Sequence, residues 1–422
     1  TAPAAEPPAT WQTGESFERM WEDLAPLGRD PDTSGYRRHA WTPVDLELRA
    51  WFTDRARERG LAVETDRNGN QWALLGDPAA GGVIATGSHL DSVPDGGAFD
   101  GPLGVVSALA ALDELHRRGA RPRRPLAVVN FADEEGARFG LACVGSRLAV
   151  GALDPERARR LRDAGGTTLA SAMERAGHDP GALGADPDRL GRLAAFVELH
   201  VEQGRALAAA PDGGRAVGVG SAVWPHGRWR LDFRGEANHA GTTRLEDRRD
   251  PMLTYANTVL AARKKARLAG ALAGFGRVRV EPNAVNAVPS LVSGWLDARA
   301  PDHACLDGLV ADIARAAAER ARRDGTTLEV HRESFTDGVD FDHALRDRLA
   351  AVLADDDGRP APLLPTGAGH DAGILAAVLP TAMLYVRNPT GVSHAPAEHA
   401  DAEDRAAGVT ALADVLEELS CR

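Results

Sequence analysis

The chain has almost no lysine, few cysteines and no long apolar run. Of its 49 basic residues all but Lys264 and Lys265 are arginines. With Ala, Gly and Pro also abundant, this reads as codon bias rather than an arginine-driven binding function. The formal net charge of -12 argues against a nucleic-acid-binding surface. Cys143, Cys305 and Cys421 are widely spaced and odd in number. They offer neither a disulfide framework nor a CxxC metal site, and a reducing compartment fits them. No apolar run reaches the roughly 18 residues of a membrane span. The opening TAPAAEPPA is Pro/Ala-rich, reads as flexible, and lacks the charged-then-apolar order of a signal peptide. The expected location is therefore cytoplasmic, with neither membrane nor nucleic acid as partner.

What is present is ordinary globular composition, 43% hydrophobic and 26% charged, over 422 residues. That length exceeds one simple core and favours two domains. Helical apolar spacing marks 17–27 and 42–59, the second with Thr42 as N-cap and Pro43 at the first helical position. Buried-strand candidates follow at 82–87, 125–131 and 194–200, with a helix at 103–118. Strand, loop, helix, strand in this order implies an α/β domain with a mostly parallel sheet. The texture changes near 211–214. Strands are expected at 216–223, 227–235, 275–281, 290–298 and 326–332, and helices at 251–268 and 303–323. This makes a smaller α+β unit inserted into a discontinuous first domain, giving 1–214, 215–330 and 331–422. Helices at 343–354 and 401–419 and a strand at 381–386 complete the first domain. Hinges are expected near 213–214 and 335–338.

Chemistry-bearing residues collect where these strands end, the edge at which open α/β sheets bind ligands. His89 and Asp91 are two apart in Gly87-Ser88-His89-Leu90-Asp91, so the carboxylate can lie beside the imidazole and fix its tautomer. Glycines in Asp95-Gly96-Gly97-Ala98-Phe99-Asp100 allow a tight return that brings Asp100 to the same place. Asp133-Glu134-Glu135 follows another strand. A solvated acidic loop is the plainer reading of such a run. Hydrolysis at a metal, however, needs one carboxylate for the ion and another for the water proton. His200 closes a third strand, and His394 lies in a Pro/Gly-rich loop. Imidazole and carboxylate without cysteine suit Zn, Mn, Co or Ni without choosing among them.

The stretches GSHLDSVPDGGAFDGPLGV, FADEEGARFG, ELHVEQG, GEANHAGTT, NAVNAVP with LDAR, GAGHDA and GVSHAPAEH resemble the M20-type metallohydrolases. They are most similar to the branch of allantoate amidohydrolases and N-carbamoyl-L-amino-acid hydrolases. The resemblance runs from about position 80 to 400, and it implies a di-metal peptidase-like catalytic domain with an inserted ferredoxin-like lid and dimerisation domain. Two divalent ions would be bridged by Asp100, one completed by His89 and His200, the other by Glu135 and His394. Glu134 would be the general base and Asp91 the partner of His89. His239 would stabilise the oxyanion, often in a neighbouring subunit's site. Asn286 and Arg299 would grip the substrate carboxylate, with Gln203 and His370 as further polar contacts. His200 stands where many peptidase members carry a carboxylate.

The function so implied is hydrolysis of the ureido C–N bond of a small carboxylate by a homodimer. Allantoate ranks first, giving ureidoglycine, ammonia and carbon dioxide, because Asn388-Pro389-Thr390 reads like the allantoate-type members. An N-carbamoyl-L-amino acid is the alternative. A dipeptidase or aminopeptidase of the same superfamily, and a catalytically silent metal-binding scaffold, are the further readings. One departure from the family pattern is Arg244-Leu245 after the NHAGTT stretch, a large cation expected to alter substrate size or charge preference.

Overall fold

The computed structural model describes residues 11–210 and 214–422. The Pro/Ala-rich start through residue 10 and Gly213 of the expected hinge lie outside the described residues. Two compact units emerge, one running to Ser221 and resuming at Asp340, the other spanning Ala222–Val339. No helix among the described residues is long and apolar enough to cross a membrane.

The first unit is built on a nine-stranded sheet. In order across it lie Ala62–Thr65, Gln71–Leu75, Leu126–Phe131, Val83–His89, Leu193–Val201, Thr381–Val386, Val217–Val223 and Val339–Asp340; Leu363–Thr366 pairs with Val217–Val223 off this path. The four central strands, from Leu126–Phe131 to Thr381–Val386, are parallel. They are buried almost throughout, which is why they read as unbroken apolar runs. The flanking pairs are antiparallel. The sheet is thus mixed rather than mostly parallel. The missed hairpin has strands of four and five residues, and Ala62–Thr65 is largely exposed, so it carries no apolar run. The strand expected at 216–223 in the inserted unit pairs instead with Thr381–Val386 in this sheet, a long-range partnership that periodicity does not encode.

Helix boundaries follow local chemistry. Thr42 caps Pro43–Glu58 by accepting from the Asp45 N–H, with Pro43 at the first position. The first helix stops at Leu24, short of the expected 27, because Pro26 has no N–H with which to continue it. Pro102–Arg117 is buried along most of its length and packs on the strands Val83–His89 and Leu193–Val201 and the helix Ala402–Cys421.

The second unit has an antiparallel sheet in the order Thr327–Thr336, His226–Arg234, Leu291–Arg299, Leu272–Glu281. Helices Pro251–Leu268 and His303–Asp324 pack together beside a core that includes Leu231, Phe233, Leu296, Leu309 and Ile313. Along the chain this is βαββαβ, the ferredoxin-like order. The expected end at 330 falls inside Thr327–Thr336, which pairs with His226–Arg234 from end to end.

One buried ion pair ties the helix Pro43–Glu58 to Pro102–Arg117. Arg59, 0% exposed, donates from Nε and Nη2 to the Asp113 carboxylate at 3.0 and 2.6 Å, and to the carbonyls of Arg55 and Glu15. Losing one partner strands a buried charge, so Asp113→Ala is expected to lower stability by about 3–5 kcal/mol. Urea unfolding measures this, and a loss below about 1 kcal/mol would place the pair among weak surface bridges.

Candidate metal centre

The four parallel strands end at His89, Phe131, Val201 and Val386, and the loops leaving that edge converge. The Asp100 carboxylate is the point of convergence. Its Oδ1 lies 3.2 Å from His200 Nε2 and 3.5 Å from His89 Nε2, and its Oδ2 lies 3.2 Å from His394 Nε2. Glu135 Oε2 is 3.7 Å from the same His394 nitrogen, and Glu134 Oε2 is 3.8 Å from His89 Nε2. Among the described residues three sets of ligand-type atoms gather here, each within 4.8 Å: His89–Asp100–His200 and Asp100–Glu135–His394, which share Asp100, and Glu198–His200–His370.

The imidazoles are oriented for this arrangement. His89 Nδ1–H donates to the Asp91 carbonyl at 3.0 Å, and His200 Nδ1–H to the Val201 carbonyl at 2.8 Å. In the neutral tautomer each Nε2 then offers its lone pair, and both of these buried nitrogens lack a hydrogen-bond partner. Orphaned acceptors facing carboxylates suit a divalent cation. Asp91 therefore acts on His89 mainly through its backbone carbonyl, its carboxylate Oδ1 being 3.5 Å from Nδ1. That carboxylate accepts instead from the N–H groups of Glu134 and Glu135 at 3.1 and 3.0 Å, fixing the acidic run.

The charges are strongly unbalanced. Burial works to raise the Asp100 pKa, but His200, His394 and His89 hold it well below the carboxylate range. Burial, with the Asp100 charge behind it, pushes Glu135 up to about 7 against His89 and His394. Burial raises Glu134 well above its usual value, opposed by His89 and reinforced by Glu135, Asp371 and Asp91. The hydrogen bond that His394 gives to Asp100 takes its pKa up to about 9 despite burial, with Glu135 assisting. These groups compete for too few protons, which is the condition a multivalent cation relieves.

Other expected site residues take distinct places. Gln203 Nε2 donates to Asp100 Oδ2 at 2.8 Å, while its Oε1 is buried without a partner. His370 packs edge-on against His200, centroids 4.5 Å apart; burial holds its pKa well below the ordinary value, and its Nε2 is orphaned. In the second unit, the short strand Asn238–His239 pairs with Ala287–Val288, and Ala240 N–H donates to the Asn286 carbonyl. His239 and Asn286 are therefore neighbours there, both exposed. His239 Nδ1 accepts from Gly241 N–H at 3.0 Å, leaving the ring proton on Nε2. Arg299 forks onto Asp297, with Nε 2.8 Å from Oδ1 and Nη2 3.3 Å from Oδ2. Arg244 is held by Asp247 in the same manner, so its charge is already partnered. A further group, Asp232, Glu329 and His331, already holds a cation, since Arg230 Nε lies 3.1 Å from Asp232 Oδ2.

Sequence reasoning missed the backbone. Asp95, Asp133, Cys143 and His394 have φ of 55°, 56°, 57° and 56°, a left-handed conformation that non-glycine residues adopt at a cost of about 1–3 kcal/mol each. Asp133 precedes Glu134, Cys143 bonds it and His394 meets Asp100, so three of the four border the centre. It also missed the Cys143 thiol, which donates to Glu134 Oε1 at 3.4 Å, and the buried Glu398.

The chain is similar to known proteins over most of its length. The model of peptidase family M20/M25/M40 matches residues 85–418. An N-carbamoyl-L-amino acid amidohydrolase of Geobacillus stearothermophilus is 36% identical over 405 residues, 94% of this chain and 96% of its own. An allantoate amidohydrolase of Escherichia coli is 32% identical over 412 residues, covering 96% and 98%. The crystal structure of a hydantoinase/carbamoylase family amidase from Burkholderia multivorans superposes with a TM-score of 0.87 at 31% identity, over 97% of this chain and 99% of that one. The chain belongs to peptidase family M20/M25/M40, a family of metal-dependent hydrolases. It is an enzyme, a hydrolase of C–N bonds.

The close approach at Gly101 gives a test. Its φ is +83°, and a Cβ there would lie 2.4 Å from the His89 ring. Gly101→Ala is expected to destabilise the chain by more than about 1 kcal/mol and to weaken divalent-ion retention. Equilibrium unfolding and elemental analysis check both, and wild-type behaviour in the two would contradict the packing.

Proposed function

We propose that the chain hydrolyses the ureido C–N bond of a small carboxylate, either allantoate or an N-carbamoyl-L-amino acid. The observation that carries this reading is Asp100 standing between two ligand sets. Asp100 would bridge two divalent ions, Zn or Mn, with Co or Ni also suited. His89 and His200 would hold one, Glu135 and His394 the other. When bound, such ions supply Lewis-acid polarisation of the ureido carbonyl and lower the pKa of a water.

Glu134 serves as general base. It stands beside the ligand sets without belonging to them, Oε2 3.8 Å from His89 Nε2, where it can take the water's proton and return it to the leaving nitrogen. The Cys143 thiol occupies Oε1, and Oε2 faces His89. Asp91 fixes the frame, through its carbonyl to His89 and its carboxylate to the Glu134 and Glu135 amides. His239, whose Nδ1 accepts from Gly241 N–H, presents Nε2–H to the developing oxyanion. Asn286 and Arg299 would receive the substrate carboxylate, which would take the place of Asp297 on the guanidinium fork. The buried acceptor of Gln203 and the orphaned nitrogen of His370 meet the substrate's polar groups. The second unit, 215–330 as first delimited, acts as lid and dimerisation surface. The exposure of Leu253 and Leu260 on Pro251–Leu268, and of Leu272 and Val278 on the edge strand, supports that role. The Asn388-Pro389-Thr390 stretch supports allantoate, and the 36% identity of the carbamoyl hydrolase supports the alternative.

The test is ammonia release from allantoate and a set of N-carbamoyl and N-formimino amino acids, with Zn, Mn, Co and Ni compared and peptides as controls. Wild type should turn over at least one ureido compound. Glu134→Gln should lose at least about 100-fold in rate while keeping its metal content. Turnover of peptides alone, or of nothing, would overturn the reading, and loss of metal in Glu134→Gln would exchange the roles of base and ligand.

A further inference from the structure

Glu398 reaches from the loop after His394 into the turn before Asp100. It is only 4% exposed, and its hydrogen-bond partners are neutral. Oε1 accepts from the backbone N–H groups of Phe99 and Asp100, each at 2.9 Å. Oε2 accepts from the Ser393 hydroxyl at 3.3 Å, and the same hydroxyl lies 3.4 Å from Asp100 Oδ2. The approach needs glycine at position 97, where a Cβ would stand 2.5 Å from Glu398 Oε1. A buried carboxylate persists only where donors replace its water. With Oε1 on two amides and Oε2 on a hydroxyl, Glu398 is committed to holding backbone, and it belongs to neither of the two ligand sets.

We propose that Glu398 is a positioning residue that couples the two ion sites. It holds the backbone of the shared carboxylate and the residue beside His394 in one frame, so filling one site prepares the other. A carboxylate that reaches both loops does this by length and acceptor geometry rather than by charge. The proposal rests on the reading of Asp100 as the bridge. Gln at 398 keeps the reach and an acceptor oxygen, whereas Asp keeps the charge and falls one methylene short.

The experiment is titration of the metal-free full chain with Co(II), following the visible spectrum and the stepwise dissociation constants, with melting of each metal-free form measured alongside. Wild type should bind two ions, the first promoting the second. Glu398→Gln should stay close to wild type. Glu398→Asp should bind at least about tenfold more weakly, the scale of losing a ligand's supporting partner, and should lose the coupling. Gly97→Ala, which displaces Glu398 from the opposite side, should reproduce that loss. Unchanged constants in Glu398→Asp, or impaired binding in Glu398→Gln with Glu398→Asp intact, would overturn the proposal. A wild-type chain that binds no Co(II), or only one ion, would instead overturn the bridging role of Asp100.

Discussion

The carboxylate of Asp100 is buried at 6% exposure with three imidazole nitrogens within 3.2–3.5 Å of its two oxygens. Removing an ionised carboxylate from water costs several kcal/mol unless opposite charge and hydrogen bonds replace the solvent. Everything around Asp100 answers that demand. Gln203 donates to Oδ2, Ser393 stands behind the same oxygen, and Glu398 grips the Asp100 amide. His89 and His200 have their outer nitrogens tied to backbone carbonyls, so their inner nitrogens face the carboxylate. Cations at this point would also favour the ionised forms of Glu134 and Glu135, which burial disfavours.

The sheet makes this convergence possible. Parallel strands with buried faces bring His89, the acidic run and His200 to one edge, and the loops beyond then bend sharply. Left-handed conformations at Asp133, Cys143 and His394 are sustained by bonds from outside each residue. Asp91 holds the Glu134 and Glu135 amides, and Cys143 N–H returns to the Glu134 carbonyl. Rigid strands with strained loops pinned to one another suit a site whose geometry must exist before the substrate arrives.

Much of this was legible in the sequence, because the central strands are unbroken apolar runs and each ends in a residue with chemistry. Thr42-Pro43 announced its helix, and the spacing of His89 and Asp91 announced an interaction. The residues recognised through resemblance also converge where the first unit can bring them together. What stayed hidden depends on distant partners. The strand Val217–Val223 looks like any other until Thr381–Val386 claims it. Glu398 looks like one more surface acid, and only the fold shows it buried against Gly97 and the Asp100 amide. Asp91 was expected to act through its carboxylate, whereas its carbonyl meets His89 more closely, because the chain turns just after the strand.

The account stands on Asp100 serving both ligand sets, and ion stoichiometry in Asp100→Asn tests that most directly. Metal-free wild type should take up two equivalents of Zn or Mn per chain by calorimetry and elemental analysis. The substitution keeps size while removing the charge that both sets share, so tight binding of both ions should fall together. Retention of one ion at wild-type affinity, with only the other lost, would contradict the shared carboxylate.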